Sequence, residues 1–242
     1  MTTKSPSSMF PRVDSPVTAV IDCETTGLRW WKDRVFGVAL LLPGADPYYW
    51  DLRQTPGAVD FLRDLAGSPH VVRWVNHNLK FDYHFLREAG VVLPIERLHC
   101  TMVRAALINE HELVYELDFL ARKYANQRKE SEIYTQLAEI FGGRATRNAQ
   151  MPNLSKAPAQ VVAPYAKQDV VAAHELYLWQ EGEIEKQGLH RVYELECRLM
   201  PVIIDMEEQG VRVDVDRAEG AVRDLTTRIE RMQRELNAQA GF

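Results

Sequence analysis

Three short acidic segments carry the residues best suited to chemistry. In Ile21-Asp22-Cys23-Glu24-Thr25-Thr26-Gly27-Leu28, side-chain alternation along a strand puts Asp22 and Glu24 on one face and Cys23 on the other. Two carboxylates side by side on an apolar strand repel each other unless cations sit between them. Asp-x-Glu is common, however, and either residue alone could be a cap or a turn residue. In Asn78-Leu79-Lys80-Phe81-Asp82, a helix beginning at Asn78 places Asn78 and Asp82 on one face. The plainer alternative is that Asn78 caps, Asp82 favours the helix N-terminus, and Phe81 and Phe85 fill the core. In Tyr165-Ala166-Lys167-Gln168-Asp169, Pro164 suits the first helical position, and the phenol and carboxylate four residues apart share a face. Alone, that segment reads as an ordinary amphipathic helix. Brought together, the carboxylates would suit hard divalent cations, which prefer oxygen ligands. Two such ions about 4 Å apart can activate water and stabilise the leaving oxygen in phosphodiester hydrolysis.

Secondary structure must bring these segments together. Strand signals come first: Val17–Thr25 is rich in β-branched residues, residues 35–42 are nearly continuously apolar, and residues 48–52 form a short aromatic run. Pro43, Gly44 and Asp46 supply the turn between the last two. The pattern predicts a helix over 57–66, a strand over 71–75, and a helix from Asn78 to about Ala89, ended by Gly90. After Ile108 it turns helical, over 117–124, 130–141 and 164–187. This order implies a mixed sheet flanked by helices. Residues 142–158 read as an irregular surface connection, although Arg144, Arg147 and Lys156 also suit a loop touching substrate phosphates. Trp30 and Trp31, flanked by Arg29 and Lys32, could stack on bases, but packing at a strand turn is the stronger expectation.

The composition sets bounds on function. Of 242 residues, 46% are apolar and 26% charged, which describes an ordinary globular core and excludes a disordered chain. No apolar run is long enough to span a membrane. Residues 1–16 are rich in Ser, Thr and Pro, lack an apolar h-region, and read as a disordered tail. Three scattered cysteines with no CxxC pair argue against a disulfide framework or a thiolate zinc site, and favour the cytoplasm. The net charge of −5 gives no global basic field, which disfavours a nucleic-acid coat protein. A nucleic-acid enzyme that binds phosphate through metal ions is compatible with that charge.

In this order and spacing, the three segments resemble the exonuclease motifs of the DEDD superfamily. The resemblance spans about residues 17–187 and includes the strings Asn-Leu-Lys-Phe-Asp and Tyr-Ala-x-x-Asp. It implies a ribonuclease H-like α/β fold, a five-stranded mixed sheet flanked by helices, over residues 17–190. Tyr165, with no His in its place, matches the tyrosine subclass of the DNA polymerase I proofreading domain and of ribonuclease D. By resemblance, Asp22, Glu24 and Asp169 hold the cation that carries the attacking water. Asp22 also bridges to a second cation, which Asp82 supports through water. The two ions would be Mg²⁺ or Mn²⁺. Tyr165 would orient the nucleophile with Glu24, since a phenol of pKa about 10 is a poor base near neutrality. The resemblance further implies substrate contacts from Thr25, Leu28 and Asn78. Phe81 stands where the polymerase I pattern often has Tyr, His77 replaces the usual amide, and Phe141 is a further candidate for base stacking.

Residues 191–242 read as a helical extension broken at Gly210-Val211-Arg212-Val213-Asp214. Leu195-Glu196-Cys197-Arg198-Leu199-Met200-Pro201 and Met206-Glu207-Glu208-Gln209-Gly210 resemble the entry into the thumb of a family A polymerase, as in several bacteriophage polymerases. The palm and fingers motifs are absent, so the expectation is an exonuclease that does not polymerise, located in the host cytoplasm if phage-encoded. Ala218, Val222, Leu225, Ile229, Met232 and Leu236 alternate four and three residues apart, the stripe of a helix that packs along another helix. The stripe either folds back onto residues 191–209, or pairs with a second copy or a polymerase subunit. The functional expectation is a 3′-5′ exonuclease acting on single-stranded or frayed 3′ DNA ends in replication proofreading. Ribonuclease D-like RNA trimming and a non-catalytic polymerase-assembly module are the alternatives.

Overall fold

The structure, a computed structural model, describes residues 9–127 and 132–241. In chain order the elements are β1 (Val17–Thr25), β2 (Val35–Leu41), β3 (Tyr48–Asp51), α1 (Ala58–Gly67), β4 (Val71–Asn76) and α2 (Leu79–Glu88). A 3₁₀ turn (Ile95–Arg97) leads to β5 (Leu98–Cys100), followed by α3 (Thr101–Ile108), α4 (Leu117–Tyr124), α5 (Glu132–Phe141) and α6 (Arg147–Leu154). The chain continues through α7 (Ala159–Lys186), α8 (His190–Gln209) and α9 (Val215–Ala240). It divides into two compact units, Met1–Ile204 and Asp205–Phe242.

The first unit is built on one sheet of order β3-β2-β1-β4-β5. β1 lies at its centre, antiparallel to β2 and parallel to β4, and β5 extends the sheet parallel to β4. A central strand covered on both faces must be apolar on both. Accordingly, Ala19, Ile21 and Cys23 enter a core with Leu62 of α1 and Leu79 of α2. Val20 points the other way, packing with Ala39, Val75 and Ala166, Val170 and Ala173 of α7. A third cluster joins Phe36 to Leu137 of α5, Leu154 of α6 and Val162 of α7.

Several local expectations need correction. Pro164 does not open its helix, because α7 begins five residues earlier at Ala159 and carries Pro164 inside it. Pro164 forgoes one backbone hydrogen bond, while burial of Val162 ties that first turn to the core. Residues 142–158 are not wholly irregular, since they contain α6. The fully buried Gln150 orders the stretch by donating from Nε2 to the carbonyls of Gly142 (2.9 Å) and Arg144 (3.0 Å). Asn78 precedes α2 in the left-handed region at φ 57°, and its side chain makes no capping bond. The segment read as a disordered tail includes Phe10, which stacks on Phe61 at 5.0 Å, whereas residues 1–8 lie outside the described residues. The helix expected over 130–141 is described from Glu132, and residues 130 and 131 lie outside the description.

In the second unit, the Asp214 side chain caps α9 by accepting from the Arg217 N–H at 3.0 Å, and Gly241 closes the helix at φ 78°. Val222, Leu225, Ile229, Met232 and Leu236 are each more than half exposed.

Candidate active site

The parallel ladder between β1 and β4 ends at Val20–Val75, so Asp22 and Glu24 lie beyond it at the carboxyl end of β1. This is where open α/β sheets form their crevices. α7 crosses that face and brings in Asp169. Ligand oxygens of Asp22, Glu24 and Asp169 all lie within 4.8 Å of one another, and Glu24 and Asp169 are buried. Three carboxylates this close repel strongly in a partly desolvated site, and a hard cation is the group that relieves such repulsion. The all-oxygen donor set fits Mg²⁺ or Mn²⁺.

Asp82 stands beside this trio, on the first turn of α2. Its Oδ1 accepts from the Cys23 N–H at 2.9 Å, and its Oδ2 accepts from Asn76 Nδ2 at 2.7 Å. The same Asn76 amide donates to Asp22 Oδ1 at 3.1 Å, so one side chain spans two of the motifs. Burial first, then the Asp22 charge, raises the Asp82 pKa well above the usual carboxylate range, against the lowering effect of its hydrogen bonds. Sequence reasoning missed Asn76. The available signal was a single amide ending the strand-like run Val71-Val72-Arg73-Trp74-Val75, apolar apart from Arg73.

Tyr165 rises from α7 one turn before Asp169. Burial is the largest cause, followed by the charges of Asp169 and Glu24, of a strong upward push on its pKa. The phenol therefore stays protonated and can donate a hydrogen bond or orient a water. Near neutral pH it cannot act as a base.

Asp22, Tyr165 and Asp169 line a cleft of about 420 Å³ with Asn78, Tyr134 and Arg147. Arg147 comes from α6 and lies 3.7 Å from Glu116. The basic stretch read as a connection thus contributes a cation to the cleft wall. His77 also lines it, locked between Thr101 Oγ1 (2.9 Å) and the Tyr115 carbonyl (2.6 Å), and burial lowers its pKa to about 4. Of the expected substrate residues, Asn78 lines the cleft. Thr25 spends its hydroxyl on the Gly27 carbonyl at 2.7 Å, and Leu28 is 79% exposed. Phe81 packs on Phe85 at 4.9 Å, and neither Phe81 nor Phe141 lines the cleft. Trp30 stacks on His84 at 4.7 Å, which is the packing role, while Trp31 stays exposed.

Residues 7–183, well over half of the sequence, match the family described as 3′-5′ exonuclease. The chain belongs to that family. This exonuclease domain is 46% identical over 237 residues to the DNA polymerase DpoZ of Salmonella phage PMBT28, covering 97% of the chain and 37% of that relative. It is 44% identical over 234 residues to DpoZ of Acinetobacter phage SH-Ab 15497, covering 96% of the chain and again 37% of the relative. The chain therefore spans little more than a third of the curated relatives it matches. Among solved structures, Brucella melitensis NrnC with bound Mg²⁺ superposes with a TM-score of 0.59 at 19% identity, covering 83% of this chain and 90% of that one. The likeness places the exonuclease domain in the ribonuclease H-like fold.

Proposed function

We propose that this chain is a metal-dependent exonuclease that hydrolyses DNA from 3′ ends, releases nucleoside monophosphates, and proofreads during replication. The observation that carries the reading is the cluster of Asp22, Glu24 and Asp169 at the carboxyl end of the central strand, with Tyr165 beside it. Two divalent cations, Mg²⁺ or Mn²⁺, would neutralise charge on the phosphate and lower the pKa of the attacking water. Asp22, Glu24 and Asp169 would hold one ion, and Asp22 with Asp82 would support the second. Asn76 keeps Asp22 and Asp82 at a fixed separation. Tyr165 donates its hydrogen bond to the attacking water and, with Glu24, aims it at the terminal phosphodiester. Asn78 and Arg147, both on the cleft wall, contact the substrate backbone.

The phage polymerase relatives support DNA as the substrate and a polymerase domain or subunit as the partner. The test is parallel digestion of matched single-stranded DNA and RNA with Mg²⁺ or Mn²⁺, with Asp22→Ala as control. DNA shortened from the 3′ end, and intact in the variant, is the expected result. Preferential trimming of RNA would transfer the site to the ribonuclease D-like reading, and digestion by Asp22→Ala would remove these residues from the chemistry.

A further inference from the structure

The parallel ladder between β1 and β4 stops at Val20–Val75, and the next residue of β4 is Asn76. Side chains alternate across a sheet. Trp74 lies in the core cluster on the α2 side, and Val20 and Val75 lie in the cluster on the α7 side. Alternation therefore assigns Asn76 to the side of α2 and Asp22 to the side of α7. Beyond the end of the ladder the amide serves both sides: Asn76 Nδ2 donates to Asp82 Oδ2 at 2.7 Å and to Asp22 Oδ1 at 3.1 Å.

Asn76 is fully buried, and its Oδ1 has no hydrogen-bond partner among the described residues. A buried acceptor left unused costs stability, so it is the two donated bonds that account for an amide here. The residue type suits that task. A serine or threonine hydroxyl donates once, an ionised aspartate not at all, and lysine or arginine would add a positive charge where a cation is to bind. An amide donates twice from one nitrogen and leaves the charge of the site unchanged. The other oxygen of Asp82 accepts from the Cys23 N–H at 2.9 Å, so β1 and β4 together fix both ends of that carboxylate.

We propose that Asn76 is a positioning residue that sets the affinity for the second cation: it aims Asp22 and Asp82 before the ion arrives, so that binding does not have to order them. This rests on the metal-dependent reading above and extends it from where the carboxylates stand to how tightly they bind. Hydrogen bonds behind metal-binding carboxylates orient them, and their loss typically lowers metal affinity or activity about 10–100-fold.

The experiment is Mn²⁺ titration of the full chain by calorimetry, with kcat and KM on single-stranded DNA measured across Mn²⁺ concentrations. Asn76→Ala should weaken Mn²⁺ binding about 10–100-fold and raise the Mn²⁺ concentration for half-maximal kcat by the same factor. Because every carboxylate remains, saturating Mn²⁺ should restore most of kcat, with KM for DNA unchanged; Asp22→Ala should not be restored. Asn76→Ser, which keeps one donor, should fall between, and it carries the test if Asn76→Ala does not fold. Wild-type Mn²⁺ affinity in the folded variants would overturn the proposal, as would a kcat that stays low at saturating Mn²⁺. If the wild-type chain itself binds no Mn²⁺, the metal-dependent reading fails and the proposal fails with it, whereas a wild-type chain that binds Mn²⁺ no better than Asn76→Ala sinks the proposal alone.

Discussion

Asp22 and Tyr165 sit at the same centre but make contributions of different size. In the proposed mechanism Asp22 would be a shared ligand, and its loss would remove several kcal/mol of transition-state stabilisation. At about 1.4 kcal/mol per factor of ten, Asp22→Ala should slow single-turnover hydrolysis on the order of a thousandfold or more. Asp169→Ala should do the same. Tyr165→Phe keeps the ring and loses one hydrogen bond, worth about 1 kcal/mol, so a loss of roughly tenfold is expected. Equal damage from Tyr165→Phe and Asp22→Ala would contradict an orienting role. No single spacing singled out Asp22, Glu24, Asp82, Tyr165 and Asp169 in the sequence; the order of three motifs and their family resemblance did, and the structure gathers Asp22, Glu24 and Asp169 within 4.8 Å. Asn76 was not legible. A terminal amide is ordinary in itself, and only the pairing of β1 with β4 brings it against Asp22 and Asp82.

At the scale of elements, segments with a clear apolar or aromatic pattern were readable, down to the four residues of β3, and patternless ones were not. β1, β2 and α8 follow their hydrophobic patterns, whereas β5 has three residues, too few for alternation to register. α6 was missed for another reason. Its stretch is ordered by Gln150 reaching back to carbonyls eight and six residues earlier, which no hydrophobic periodicity encodes. Gln150→Leu removes the donor to the Gly142 carbonyl, while the Arg144 carbonyl keeps the Thr146 N–H at 2.8 Å, and should cost about 1–3 kcal/mol of stability. It should also raise KM for DNA, because Arg147 on the same helix lines the cleft. An unchanged melting temperature would show that the turn orders itself without the amide. For α9, none of whose residues is buried, deletion of residues 216–242 should leave nuclease activity and melting temperature nearly intact. Any change should appear in oligomeric state or partner binding. A large fall in melting temperature, with a monomer before and after, would assign the helix to a core.

For the whole molecule, stability should depend on pH and on divalent ions. Burial holds His77 and His99 at pKa values of about 4, below the ordinary value of 6.5. The unfolded chain takes up protons at these positions from about pH 6.5 downward, while the folded chain does not until about pH 4. Their combined effect is therefore a loss of stability as pH falls through that window. His99→Gln should flatten the melting temperature between pH 6.5 and 4.5, and an unaltered slope would place the dependence elsewhere. Mg²⁺ or Mn²⁺ at a hundredfold excess over its dissociation constant should stabilise the fold by about 2.7 kcal/mol, an effect absent in Asp22→Ala. A strand-sized cleft also requires a duplex end to fray first, at up to a few kcal/mol, so unpaired termini should be degraded faster than paired ones.

The central claim is that the carboxylate cluster hydrolyses DNA from the 3′ end with divalent ions. A time course on 5′-labelled single-stranded DNA tests it most directly. The expected result with Mn²⁺ is a ladder of labelled products shortening from the 3′ end, absent in excess EDTA and absent with Asp22→Ala. A labelled mononucleotide appearing at the outset, internal cuts in circular DNA, or digestion that persists in EDTA would contradict it.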